Sequence, residues 1–191
     1  MPTEKVKVLG IVGSPRQGGN TEELVDEVLR GARDAGASFE KVRLSDLEIA
    51  PCDACDSCLH TGECVQGDDM PDLLAKMLAS QVWVLGTPVY WWGPSAQFKL
   101  FVDRWYSQAH RDVDKAMWKG RRVILAVPFG DDDPGTARHV EGMVKDALDY
   151  MHADLYATIL ASGVNDKGDI FKKPEILAAA HRAGKQAVTE K

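Results

Sequence analysis

The sequence lacks the features that would tie it to a membrane, a secretory route or a nucleic acid. None of its apolar runs approaches the roughly 20 residues needed to cross a bilayer. The opening Met1-Pro2-Thr3-Glu4-Lys5 has no basic region followed by an apolar stretch and a small-residue cleavage site, so no signal peptide is expected and the default compartment is the reducing cytoplasm. Cations are outnumbered, 23 Lys and Arg against 29 Asp and Glu. The resulting net charge of -6 would repel a phosphate backbone rather than release its counterions, which argues against nucleic acid as a partner. There is no internal repeat, low-complexity tract or evident linker. Cysteine is scarce as well: four in 191 residues, all between positions 52 and 64.

A chain of this length, read as one domain over 1–191, buries about 70% of the surface its unfolded form exposes, so it needs no staple to fold. Stability therefore does not explain Cys52, Cys55, Cys58 and Cys64. They form the pattern C-x-x-C-x-x-C-x5-C inside an insertion loop at about 50–69. Three thiolates can converge from one tight turn and a fourth can return from a short loop, which suits a cluster or metal better than disulfides. A zinc site usually draws two C-x-x-C knuckles from separated segments, and the overlapping triple is nearer to ferredoxin spacing. It differs in having five residues before the last cysteine and Pro51 before the first. Zinc, and thiols without metal, stay open on spacing alone. Asp53, Asp56 and Glu63 flank the ligands and, unless offset by hydrogen bonds, would lower the potential of a cluster. His60 reads as a solvated loop residue.

Elsewhere the pattern alternates strand and helix. Val6 to Val12 is a β-branched run that stops at Gly13. A helix is expected from Asn20 or Thr21, with Asn20 as cap, Glu23 reaching back in a capping box, and Gly36 as the stop. Strands follow near Phe39–Leu44, Val82–Leu85, Val123–Val127 and Leu155–Leu160. Helices follow over Met70–Ala79, from Pro94 at a first helical position, through Val140–Leu148 and after Pro174. Five such units imply an α/β fold: a doubly wound five-stranded parallel sheet with helices on both faces.

In such a sheet, ligands bind beyond the carboxyl ends of the strands, and three loops qualify. Gly13 to Thr21 offers backbone N–H groups at a helix N-terminus, the hydroxyls of Ser14 and Thr21, the Asn20 amide and the Arg16 guanidinium, a set suited to phosphate. It is neither a Rossmann fingerprint nor a Walker motif. Gly86 to Gly93 carries Tyr90, Trp91 and Trp92 where a turn should be polar; a flavin ring would bury their faces, and so would a subunit interface. Pro128-Phe129-Gly130 could supply the other side of the ring. Lys99, Asp103 and Arg104 read as a helix-surface ion-pair set, and Asp131-Asp132-Asp133 as a solubilising run.

Ser14-Pro15-Arg16 with Gly18-Gly19-Asn20-Thr21, the Thr87-Pro88-Val89-Tyr90 loop, and Phe98-Lys99-Leu100-Phe101-Val102-Asp103-Arg104 resemble the flavodoxin-like NADPH-dependent FMN reductase family. The cysteine segment with Gly62-Glu63-Cys64 and Asp68-Asp69-Met70 is similar to its iron-sulfur flavoprotein branch. The resemblance runs from about Val6 to Tyr150, and the last forty residues add little to it. It implies that Ser14, Arg16, Gly19, Asn20 and Thr21 bind the FMN phosphate, and that Pro88, Val89, Tyr90 and Trp91, with Phe129 and Gly130, line the isoalloxazine. It also implies that Cys52, Cys55, Cys58 and Cys64 hold a [4Fe-4S] cluster close by, although many relatives with these cysteines are described only as FMN reductases. Family members are commonly dimers or tetramers, and Trp91, Trp92, Trp105, Tyr106 and Trp118 are candidates to cover a partner subunit.

Three functions fit. The first is an FMN electron-transfer oxidoreductase with a [4Fe-4S] cluster, passing electrons from a donor such as ferredoxin to oxygen species or quinones. The second is a cluster-free NAD(P)H-dependent flavin or quinone reductase, and the third a non-enzymatic flavodoxin-type carrier or flavin sensor. In each the chemistry is the flavin's, with no catalytic side chain expected.

Overall fold

The structure, a computed structural model, describes residues 5–111 and 118–190. The first four residues of the opening segment lie outside it. Five strands, β1 (Lys7–Val12), β2 (Ser38–Arg43), β3 (Val82–Gly86), β4 (Arg122–Pro128) and β5 (Asp154–Ala161), form one sheet in the order β2-β1-β3-β4-β5. Every pairing is parallel. This is the flavodoxin-like order, and its switch point falls between β1 and β3, where chain connections leave in opposite directions. The expected fold is the observed one.

Successive side chains of a strand point to opposite faces, which splits the interior in two. Val8, Val12, Val82, Val84 and Ile124 face α1 (Asn20–Asp34) and α7 (Pro174–Thr189). Leu9, Ile11, Trp83, Leu85 and Leu125 face α3 (Met70–Leu78), α4 (Ala96–Asp103) and α6 (Arg138–Met151). α1 and α7 pack backbone to backbone: a Cβ on Gly184 would stand 1.9 Å from the Val28 carbonyl oxygen, and one on Gly31 2.0 Å from that of His181.

Four local expectations are corrected. The N-cap of α1 is Gly19, so Asn20 is the first helical residue rather than the cap expected to pair with Glu23, and its amide is committed elsewhere, as described below. Pro94 lies outside α4, whose N-cap is Ser95, its hydroxyl accepting from the Phe98 N–H at 3.2 Å. The cysteine segment is not wholly irregular, because Ser57–Thr61 forms a short helix, α2. Trp105 and Trp118 cover no partner. Both are buried, packed edge to face with ring centroids 5.0 Å apart, and Trp83 meets Trp118 edge to face in turn at 4.9 Å. The last helix before the undescribed stretch, α5 (Tyr106–Arg111), presents the Tyr106 hydroxyl to Asp56 at 2.9 Å.

Candidate functional site

The loop after β1 is held by its own polar groups. The Gly19 N–H donates to the Arg16 carbonyl at 3.1 Å, and the Arg16 N–H to the Ser14 hydroxyl at 3.2 Å. Gly18 takes φ +59°, a conformation that suits glycine, and its N–H donates to the Glu22 carboxylate at 2.8 Å. Glu22 is buried on the first turn of α1. Burial works against its charge, but Lys41 at 2.8 Å, the Gly18 N–H and Arg43 at 2.6 Å outweigh that and hold the carboxyl below its usual range. What remains outward is the first turn of α1, whose N–H groups have no intrahelical acceptor, together with the Ser14 and Thr21 hydroxyls and Arg16.

The loop after β3 is closed by two buried residues. Thr87 accepts from the Ser95 N–H at 3.1 Å, and the Ser95 hydroxyl donates to the Gly13 carbonyl, joining this loop to the first. Its tip is a two-residue turn. Tyr90 and Gly93 exchange N–H···O bonds of 2.8 and 3.0 Å, and the central Trp91 and Trp92 both have positive φ, +50° and +60°. That geometry normally takes Asn and Gly; for two tryptophans it is strained.

A fourth loop, after β5, was not expected to contribute. Val164 donates to the Phe129 carbonyl at 3.0 Å, and Asn165 donates its side-chain amide to the Gly130 carbonyl at 3.3 Å. The Asn165 carbonyl accepts from Arg16 at 3.2 Å. A Cβ on Gly130 would stand 1.9 Å from the Asn165 side-chain oxygen, so a larger residue there would displace the Asn165 amide. Residues beyond those that carry the family resemblance thus help to line the site. The signal was present in the polar Gly163-Val164-Asn165-Asp166 turn at the carboxyl end of the last strand.

These loops surround one cleft of about 210 Å³, lined by Ser14, Arg16, Gly19, Asn20, Thr21, Pro88, Val89, Tyr90, Phe129 and Gly130. Those are ten of the eleven residues expected around the flavin; Pro128, Val164 and Asn165 complete the lining. Trp91 does not line the cleft. At 92% exposure it stands with Trp92, Asp131 and Thr136 round an adjoining hollow that shares Val89, Phe129 and Gly130. Asn20 borders the cleft, but its side chain is turned to the β5 loop: Nδ2 donates to the Asp166 carbonyl at 2.9 Å, and Oδ1 accepts from Gly168 and Ile170 at 3.1 and 3.3 Å.

The four cysteines line a second, smaller hollow with Asp53, Gln66, Arg104 and Tyr106. Ala54 and Asp56 take positive φ, +55° and +57°, in the stretch that brings Cys52, Cys55 and Cys58 round one hollow. Cys58 is buried. That burial, with the neighbouring Cys64, Cys55 and Cys52 sulfurs adding to it, pushes its thiol pKa up. Asp53 is held low chiefly by its hydrogen bond with Cys55. Among the described residues, no group of three or more His, Cys, Asp or Glu side chains is gathered tightly enough to hold a metal ion. Arg104 corrects a second expectation. Lys99 and Asp103 form the surface pair, at 2.5 Å, but Arg104 is only 2% exposed and turns inward to the cysteine loop.

Residues 6–164 match the family described as NADPH-dependent FMN reductase. The chain belongs to that family. Among its relatives is an iron-sulfur flavoprotein of Archaeoglobus fulgidus, 39% identical over 121 residues, which are 63% of this chain and 55% of that protein. Another is the iron-sulfur flavoprotein MJ1083 of Methanocaldococcus jannaschii, 43% identical over 99 residues, 52% of this chain and 51% of its own. The chain thus spans about half the length of these flavoproteins. YwqN of Bacillus subtilis, whose name describes an NAD(P)H-dependent FMN-containing oxidoreductase, is 28% identical over 190 residues, 95% of this chain and 98% of its own. In fold the chain is similar to an FMN-dependent NADH-azoreductase from Bacillus anthracis, with a TM-score of 0.72 at 13% identity over 96% of this chain and 100% of that one. It is equally similar to the NAD(P)H:quinone oxidoreductase from Methanothermobacter marburgensis, with a TM-score of 0.72 at 17% identity over 95% and 96%.

The residues at hand suit the family's cofactor. A cation, two hydroxyls and a helix N-terminus lie at one end of the cleft, and an apolar wall of Pro88, Val89, Tyr90 and Phe129 at the other. The second hollow offers four free thiols, with an N–H directed at one of them, the ligand type of an iron-sulfur cluster, although they are not gathered as a metal-ion site. Among the described residues no helix is long and apolar enough to cross a membrane.

Proposed function

We propose that the chain is an FMN-dependent oxidoreductase of the iron-sulfur flavoprotein type, passing electrons between a reductant, ferredoxin or NAD(P)H, and small acceptors such as quinones or oxygen species. The observation that carries this reading is the meeting of loops from β1, β3, β4 and β5 on one cleft, with the cysteine loop leaving the same edge of the sheet after β2. Ser14, Arg16, Gly19, Thr21 and the first turn of α1 would hold the phosphate, with Asn20 steadying them. Pro88, Val89, Tyr90, Phe129 and Gly130 would orient the ring and exclude water from one side of it, and Trp91 would stand at its edge. FMN, when bound, takes up two electrons as hydride and releases them singly. Cys52, Cys55, Cys58 and Cys64 would ligate a [4Fe-4S] cluster, the one-electron partner that such a flavin needs. The thiol chemistry fits a reducing cytoplasm, and the exposed Trp91 and Trp92 support assembly as a homodimer or homotetramer.

Anaerobic purification tests the reading. The expected product is brown, with FMN and about four iron and four acid-labile sulfide per chain, the content of a [4Fe-4S] cluster. Yellow, iron-free protein under those conditions rejects the cluster.

A second reading, a cluster-free NAD(P)H-dependent FMN or quinone reductase, is favoured by the match to YwqN along nearly the whole chain. Rapid bleaching of the flavin by NADPH in iron-free protein would support it.

A further inference from the structure

Arg104 and Glu22 are the two charged side chains among the described residues that are buried, and Arg104 is the deeper. It ends α4, and every donor direction of its two terminal nitrogens is spent on the cysteine segment. Nη1 donates to the Ala50 carbonyl at 2.9 Å, to Gln66 Oε1 at 3.1 Å and to Asp68 Oδ2. Nη2 donates to the Cys64 sulfur at 3.3 Å and to Asp68 Oδ1 at 3.2 Å. Asp68 relays the hold: it accepts from the Ala50 N–H at 3.0 Å and the Met70 N–H at 3.1 Å. Beside it Glu48 and Asp69 bond twice, at 2.7 and 3.0 Å, and Gln66 donates to the Pro51 carbonyl at 2.9 Å. Both ends of the cysteine loop therefore meet on one guanidinium.

A buried charge with fewer partners would be costly, so the five hydrogen bonds to this one mark a built site rather than a surface side chain folded in. Only arginine can do it. Carbonyl, carboxylate and sulfur are bonded from two separate nitrogens, which the guanidinium fork allows and a single ammonium does not. Asp68 compensates the positive charge, so what reaches Cys64 is a directed N–H dipole more than a net charge.

We propose that Arg104 is the positioning residue of the cysteine site: it closes the base of the 50–68 loop and donates an N–H to the Cys64 sulfur, fixing the fourth ligand and raising the potential of the cluster. The first half stands on the hydrogen bonds alone. The second rests on the cluster reading above. An N–H directed at a ligand sulfur favours the more negative, reduced state of a cluster, and so opposes the acidic residues Asp53, Asp56 and Glu63.

The test compares wild type with Arg104→Lys and Arg104→Met, purified anaerobically as full chains. Arg104 is outside the flavin cleft, so FMN affinity should be unchanged. Iron and sulfide should fall well below the wild-type content in both variants, and the cluster that remains should titrate at a more negative potential. Hydrogen exchange at the Glu48, Ala50, Asp69 and Met70 amides should quicken. If Arg104→Met does not fold, Asp68→Asn, which breaks the same hub from the other side, replaces it. An Arg104→Lys protein with wild-type iron, potential and exchange overturns the proposal. Wild-type protein that carries no iron overturns the cluster half together with the functional reading; exchange in Arg104→Lys then decides loop closure by itself, faster supporting it and unchanged rejecting it.

Discussion

The side-chain oxygen of Asn20 accepts the Gly168 N–H at 3.1 Å, joining the first turn of α1 to a loop 148 residues further along the chain. With the bonds to Ile170 and Asp166, this makes Asn20 a clamp between the phosphate-type loop and the end of β5. In Asn20→Ala the Gly168 and Ile170 N–H groups lose their acceptor. A loss of about 1–3 kcal/mol of stability is expected, in the range for unpaired buried donors, with weaker FMN binding because Asn165 and Arg16 are no longer held. Thermal melts with and without FMN check both.

Among the described residues, Arg16 is the one cation lining the cleft. If it holds the FMN phosphate as proposed, replacing it with Gln would remove a charge-assisted bond while leaving a polar side chain in place. The expected loss is about 1.5–3 kcal/mol of binding, roughly 10- to 100-fold in Kd for FMN, and much less for riboflavin, which lacks the phosphate. Fluorescence titration with both flavins provides the comparison, and equal losses would place the phosphate elsewhere.

The Tyr90–Gly93 turn carries two tryptophans in left-handed backbone. Trp91→Asn with Trp92→Gly supplies the residues that this turn ordinarily takes and should relieve about 1 kcal/mol of strain at each position. The double variant is expected to melt higher than wild type while losing turnover with NADPH and quinones. Higher stability with full turnover would show that the tryptophans serve neither ring nor substrate.

Glu22 makes the phosphate-type loop sensitive to acid. Its folded pKa lies below its unfolded value, about 4.3, so its contribution is complete above that value and disappears as pH falls through the folded one. Melting temperature should therefore drop below about pH 5. Glu22→Gln should be less stable by about 2 kcal/mol at pH 7, from the charged hydrogen bonds lost to Lys41, Arg43 and Gly18, and should show a shallower acid slope. An identical slope in the variant would assign the acid transition to other carboxylates.

Much of this molecule is written in local pattern. Gly13 after a β-branched strand and before an amphipathic helix fixes the first βα turn. The same alternation, repeated five times, leaves a parallel sheet as the one way to bury strands that are apolar on both faces, and the sheet carries its binding edge with it. The cysteine spacing needs no partner from elsewhere in the chain, so four residues within thirteen positions could be grouped from the sequence.

What the sequence could not supply is pairing across long separations. Asn20 has the composition of a helix cap, and only the arrival of residues 165–170 gives its amide better partners than its own helix. Arg104 sits five residues after Lys99 and next to Asp103 on what reads as a solvated helix face. Its burial is decided by where β2 delivers Ala50 and Asp68, since a cation goes inside only if enough acceptors meet it there. Trp105 and Trp118 likewise look like surface aromatics until Trp83 is brought beside them. Local periodicity determined the architecture and the loops that would bear chemistry. Tertiary packing chose the partners of each polar group, because hydrogen-bond competition between near and distant acceptors has no signature in the order of residues.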